Sequence, residues 1–319
     1  MPALFEIKYK RYRRVSDPHV IGGIVMKTGL TRLILFCLLL MVIGDLALMV
    51  FWRPEVSHDF NAERAYQDVL FQTALGPRVP GSQAHENVIQ YFSQELQQAG
   101  WRVTFQRGER LGHTATNIIA SRSTEPPQIV IGAHYDSRLT ADQESEVNLR
   151  KAPVPGANDG ASGAAVLLEL ARTLPPDIDK EVWLVFFDLE DQGHIEGWDW
   201  ILGSRIFVDQ LEAIPDSVIV IDMIGDTDLK IPREMNSDPE LTTELWKLAA
   251  ELGYGDSFLD QPGYTILDDH TPFLEQGMRA IDIIDFDYPH WHTLSDTADK
   301  ISPLSLEIVG NVLLAWLKR

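Results

Sequence analysis

Apolar runs and apolar stripes alternate along most of this chain. Val182 to Phe187 is a near-continuous apolar run that ends in Asp188-Leu189-Glu190-Asp191-Gln192-Gly193. Such a run predicts a central strand buried on both faces, whose carboxyl end opens into a polar crevice. Ile129–Ala133, Ser217–Met223 and Ala280–Ile284 read the same way, and Trp101–Gln106 and Thr116–Ser121 alternate as half-buried strands. Between them lie helical stripes. Ser82 can cap a helix with Val88, Phe92, Leu96 and Ala99 on one face and Gly100 as its stop. Gly156–Gly163 opens a second helix, with Val166, Leu167, Leu170 and Ala171 inward and Pro175-Pro176 beyond its end. Gly203–Leu211, Thr242–Leu252 and Ser305–Leu317 complete the set. Strands alternating with helices predict a single α/β domain, a mostly parallel central sheet flanked by helices.

Upstream the pattern changes. Lys8, Lys10, Arg11, Arg13, Arg14, Lys27 and Arg32 precede an apolar run from Leu33 to Trp52, broken only by Gly44 and Asp45. About 20 apolar residues span a bilayer, and upstream basic residues keep that side cytoplasmic. The expected layout is a basic cytoplasmic arm (1–32), a transmembrane signal anchor (33–52), a linker (53–61) and an extracytoplasmic domain (62–319), making a single-pass membrane protein. A cleaved signal peptide is the rival, although no small-x-small site precedes Trp52. A start at Met26 would only shorten the arm.

Charge narrows the partners. Lys plus Arg number 27 against 47 Asp plus Glu, a formal charge of −20, which argues against a nucleic-acid surface and suits a cation or a cationic N-terminus. The single cysteine, Cys37, excludes an intramolecular disulfide and a thiolate metal site.

The candidate chemistry gathers at strand ends. His134, Asp159, the Glu190-Asp191 pair and Asp222 each follow an apolar strand or a glycine turn, and His292 lies just beyond the Ala280–Ile284 strand. Each alone reads as readily as a cap or a solvated turn. Together at one end of a sheet they form an oxygen and imidazole donor set of the kind that holds catalytic zinc. The long polar segment between Arg138 and Pro155 has the length of a functional loop.

The runs H-Y-D-S-R (134–138), G-A-N-D-G-A-S-G (156–163), F-F-D-L-E-D (186–191), D-M-I-G (222–225), D-D-H-T-P-F-L (268–274) and W-H-T (291–293) resemble the zinc-aminopeptidase superfamily, and within it the animal-type glutaminyl cyclases and their bacterial relatives. The resemblance covers residues 62–319. It implies an α/β/α zinc-aminopeptidase-like fold and a peptide or protein N-terminus as substrate. In a cyclase, one zinc would be held by Asp159, Asp191 and His292, with Glu190 as acid/base, Asp222 and Asp268 hydrogen-bonding around Glu190 and the leaving amide, and Trp291 walling the pocket. In an aminopeptidase, Asp159 would bridge two zincs, with His134 and Asp222 completing the first and Asp191 and His292 the second.

Asp268 and Trp291 stand where such aminopeptidases usually carry Ser and lack Trp, which favours glutaminyl-peptide cyclotransferase activity over peptide hydrolysis. Asp191 departs from the Glu-Glu pair of animal cyclases toward the bacterial pattern. The tryptophan those enzymes carry just after the pair has no direct match, Trp198 and Trp200 both being offset. An inactive, anchored peptide-binding domain is a third expectation, whose mark would be loss of Glu190 or of a ligand.

Overall fold

The computed structural model describes residues 59–319. The basic arm and the Leu33–Trp52 run lie outside them, and among the described residues no helix is long and apolar enough to cross a membrane.

Six strands form one sheet: β1 (Arg102–Arg110), β2 (His113–Ser121), β3 (Ile129–His134), β4 (Val182–Phe187), β5 (Ser217–Asp222) and, after the short pair β6 (Ile231–Arg233) and β7 (Phe258–Pro262), β8 (Ala280–Ile284). Their order is β1-β2-β4-β3-β5-β8, with β6 and β7 apart as a two-stranded sheet. β3 is parallel to both β4 and β5, and β5 to β8, whereas β1 and β2 join antiparallel at one edge. Every residue of β3 and β5 is buried, as the unbroken apolar runs require.

Strand periodicity splits the core in two. Ile129, Ile131, Leu184, Phe186 and Ile219 face one side, packed by α1 (Ala62–Ala74), α2 (Gln83–Gln98), α3 (Ala161–Thr173), α5 (Pro239–Glu251) and α7 (Pro303–Leu317). Val130, Val185, Phe187 and Val218 face the other, against Phe207 of α4 (Leu202–Asp209) and Phe273 of α6 (Thr271–Glu275). From β3 the chain passes to β4 on one side and then, through α4, to β5 on the other. The strand order therefore reverses at β3, and a crevice opens at its carboxyl end, where open α/β sheets hold their ligands.

Local signals are met where side chains supply the physics. Ser82 accepts the His85 N–H at 3.1 Å, and Gly100 turns the chain at φ +85°. β1 and β2 are longer than alternation predicts, because their outer halves form an exposed hairpin turning at Leu111-Gly112, both at positive φ.

Candidate active site

β3 and β5 are neighbours and parallel, so their last residues emerge side by side: His134 Nε2 lies 3.0 Å from Asp222 Oδ1. The glycine turn before α3 delivers Asp159, whose Oδ1 is 3.1 Å from the same nitrogen. Gly160 sits at φ +96°, and a Cβ there would fall 2.7 Å from the His134 ring, so only glycine lets this turn press against the imidazole.

After β4 the chain turns at Leu189 (φ +54°) and presents Glu190 and Asp191. Asp136 fixes this corner, accepting the Glu190 N–H at 3.0 Å, the Asp191 N–H at 3.4 Å and Gln192 Nε2 at 2.9 Å. From beyond β8, His292 brings Nε2 to 3.0 Å from Asp191 Oδ1 and 3.7 Å from Asp159 Oδ2. Asp296 secures Asp159 from behind, accepting the N–H groups of Asn158 (2.8 Å) and Asp159 (3.2 Å) and the Tyr288 hydroxyl (2.8 Å).

Two ligand sets thus share Asp159. The donor atoms of His134, Asp159 and Asp222, and those of Asp159, Asp191 and His292, lie within 4.8 Å of one another in each set, all five residues buried. Asp159 Oδ2 and Asp191 Oδ2 are buried and have no hydrogen-bond donor among the described residues. Such oxygens are costly unless something positive meets them, and a divalent cation with N and O ligands fits the gap.

The titrating groups respond to the same crowding. Burial, reinforced by Asp268 and Asp191 against the pull of His134, pushes the Glu190 carboxyl well above the ordinary range. Burial and the Asp222 charge push Asp268 up to about 6. Burial disfavours the charged form of both imidazoles, yet the carboxylates prevail: Asp222 is the main charge raising His134, and Asp191 the main one raising His292, to about 9.

Glu190, Asp222, Asp268 and Trp291, together with the Asp159, Asp191 and His292 set, line a cavity of about 240 Å³. Trp291 stacks on His292 with ring centroids 3.7 Å apart, and Phe286 adjoins it at 5.2 Å. The expected hydrogen bonds from Asp222 and Asp268 to Glu190 are not formed among the described residues; Asp222 instead meets His134 and the Met223 N–H, and Asp268 acts on Glu190 by charge. Trp200, offset in sequence, nonetheless reaches the cavity, its ring 5.9 Å from His292 and beneath the Arg138 guanidinium at 4.9 Å. A roomier hollow of about 580 Å³ beside Phe105, Trp183 and Phe207 has none of the converging carboxylates and imidazoles.

Sequence reasoning assigned no role to Asp136 or Arg138, though both stand in the H-Y-D-S-R run, nor to Asp142 and Asp296. Adjacency to His134 was a signal for the first two; for Asp296, far from Asp159 in sequence, there was none.

Residues 117–317 match peptidase family M28. The glutaminyl-peptide cyclotransferase of Boiga irregularis is 27% identical over 312 residues, covering 81% of each chain. The glutaminyl cyclase of Bacteroides thetaiotaomicron, solved bound to N-acetylhistamine, superposes with a TM-score of 0.77 at 32% identity over 82% of this chain and 98% of that one. A leucine aminopeptidase precursor from the same organism is similar to the same degree: TM-score 0.78, 31% identity, 82% and 98% coverage.

Proposed function

The chain belongs to peptidase family M28, and from that premise we propose that it is a zinc-dependent glutaminyl-peptide cyclotransferase, converting N-terminal glutamine of peptides or proteins to pyroglutamate with release of ammonia. The observation that carries this reading is the placement of Asp268 and Trp291 in the same small cavity as Glu190. Relatives named for this reaction support it.

Asp159, Asp191 and His292 would hold one zinc, which when bound supplies Lewis-acid polarisation of the γ-carbonyl, worth several kcal/mol. The substrate's α-amine attacks its own γ-carbon, so a C–N bond forms there and the bond to the amide nitrogen breaks. Glu190, whose raised proton affinity suits the task, takes the proton from the attacking nitrogen and returns it to the departing ammonia, a contribution of about 10²–10⁴-fold. Asp268, pushed up to about 6, holds the leaving nitrogen. Trp291 and Phe286 wall the cavity and offer apolar faces against the substrate's side chain.

The second reading, a di-zinc aminopeptidase, is favoured by one observation: the His134, Asp159 and Asp222 donors are also assembled. Zinc counting on the purified protein, with glutaminyl and leucyl substrates assayed on the same sample, separates the two. One zinc, ammonia release and intact leucyl substrates are expected; two zincs with rapid leucine release would replace the cyclase with the peptidase.

A further inference from the structure

His292 is an unusual backbone position as well as a candidate ligand. It is buried and non-glycine, yet its φ is +54°, a region that L side chains rarely adopt unless the surroundings impose it. What surrounds it is the polar segment that follows β3. Asp142 Oδ1 lies 3.0 Å from His292 Nδ1, a charge contact outside hydrogen-bond geometry. The next residue, Gln143, donates its N–H to the His292 carbonyl at 3.3 Å. The one after, Glu144, accepts the Leu294 N–H on Oε2 at 3.2 Å, across 150 residues of sequence. Three successive loop residues therefore grip the ring, the carbonyl and the following turn of a single segment.

The clamp is itself anchored. Arg138 holds the Asp142 carboxylate with two nitrogens, Nε at 2.8 Å and Nη2 at 3.0 Å. The same guanidinium donates to the carbonyl oxygens of Asp191 (3.0 Å) and Gly193 (2.8 Å) and lies over Trp200. Arg138 is buried and bidentate, so its position is well determined, and it ties Asp142 to the backbone that carries Asp191. One face of His292 is thus fixed from the loop while Nε2 points at Asp191 and Asp159.

We propose that residues 142–144 form a clamp that positions His292 for metal binding, with Asp142 as its principal positioning residue and Arg138 coupling it to the Asp191 corner. The Asp142 carboxylate, 3.0 Å from Nδ1, favours by its charge a proton on that nitrogen rather than on Nε2, which leaves the Nε2 lone pair free for a metal. The proposal rests on the metal-centre reading but not on which reaction follows, since His292 is a ligand in both.

The test is zinc affinity, measured on the full-length purified chain by competition with a chelating dye, beside the thermal midpoint of the metal-free protein. Asp142→Ala is expected to weaken zinc binding by about 10–100-fold, the usual cost of removing a partner of a ligating histidine. Asp142→Asn, which keeps an acceptor of the same shape, should lose less, and Glu144→Ala should weaken binding by a smaller factor. The metal-free midpoint of Asp142→Asn should stay near that of the parent, because the amide oxygen still accepts from Arg138, whereas that of Asp142→Ala should fall as Arg138 loses both contacts. Zinc affinity unchanged in Asp142→Ala would overturn the clamp, as would a fall in the metal-free midpoint with no loss of affinity in Asp142→Asn. A parent chain that binds no zinc would instead overturn the metal centre itself.

Discussion

Two clusters of carboxylates in this molecule resolve oppositely. Under the helices on one face of the sheet, Arg172 of α3 meets Asp68 of α1 at 2.5 Å and Glu95 of α2 at 2.6 Å, and Arg64 holds Glu169 with two nitrogens at 2.6 and 2.7 Å. No buried atom of these five side chains is left without a hydrogen bond. At the carboxyl end of the sheet, Asp159, Glu190, Asp191, Asp222 and Asp268 share one cavity, and Asp159 Oδ2 and Asp191 Oδ2 have no donor among the described residues. Arginines within the fold complete the first cluster. The second is short of positive charge, which is a reason for a site to draw a cation, since buried carboxylates without partners otherwise cost several kcal/mol or take up protons.

Substitutions can break this contrast from the catalytic side. Glu190→Gln keeps size and removes the proton acceptor, so turnover should fall by about 10²–10⁴-fold while zinc content stays at the parent level. Asp191→Ala should abolish zinc binding instead. Metal analysis beside initial rates decides the matter; the same phenotype in both variants would end the division of roles within the pair.

On the balanced side the signs reverse. Arg172→Met strands the Asp68 and Glu95 carboxylates beneath the helices and should cost about 3 kcal/mol of stability, read from the urea midpoint. Rates measured under conditions where the variant is folded should match the parent. A loss of turnover with unchanged stability would mean that the helical network reaches the site after all.

Zinc at 100 times its dissociation constant should stabilise the parent protein by about 2.7 kcal/mol, and a chelator should remove that increment. Arg172→Met should retain the zinc-dependent shift, and Asp191→Ala should lose it. A zinc shift that survives in Asp191→Ala would place the stabilising ion elsewhere.

What was legible in the sequence follows from what local pattern can carry. β3, β4, β5 and β8 stood out because parallel strands covered on both faces must be apolar throughout, and the ligands stood out because each follows such a run or a glycine turn. α1 was missed because its buried face includes Asp68 and Gln72 beside Ala65 and Val69; polar residues satisfied by distant partners erase an apolar stripe. β6 and α6 are three and five residues long, too short for any period to register. The outer half of β1 is mostly exposed and polar, and Gly108, which breaks the alternation there, leaves the space where Ile206 of α4 packs.

Local pattern was enough to mark the α/β class, the strand ends at which chemistry would gather, and the residues able to bind a cation or move a proton there. The folded chain alone revealed that Asp296 and Asp136 brace Asp159 and the Glu190-Asp191 corner, that Trp200 joins Trp291 at the cavity, and that a loop near residue 142 grips a histidine at 292. The physical reason is one of range. Hydrophobic period and turn chemistry act over a few residues and are written in order along the chain, whereas a hydrogen bond or an ion pair depends on distance in space, and the fold alone brings residues 150 apart within 3.2 Å.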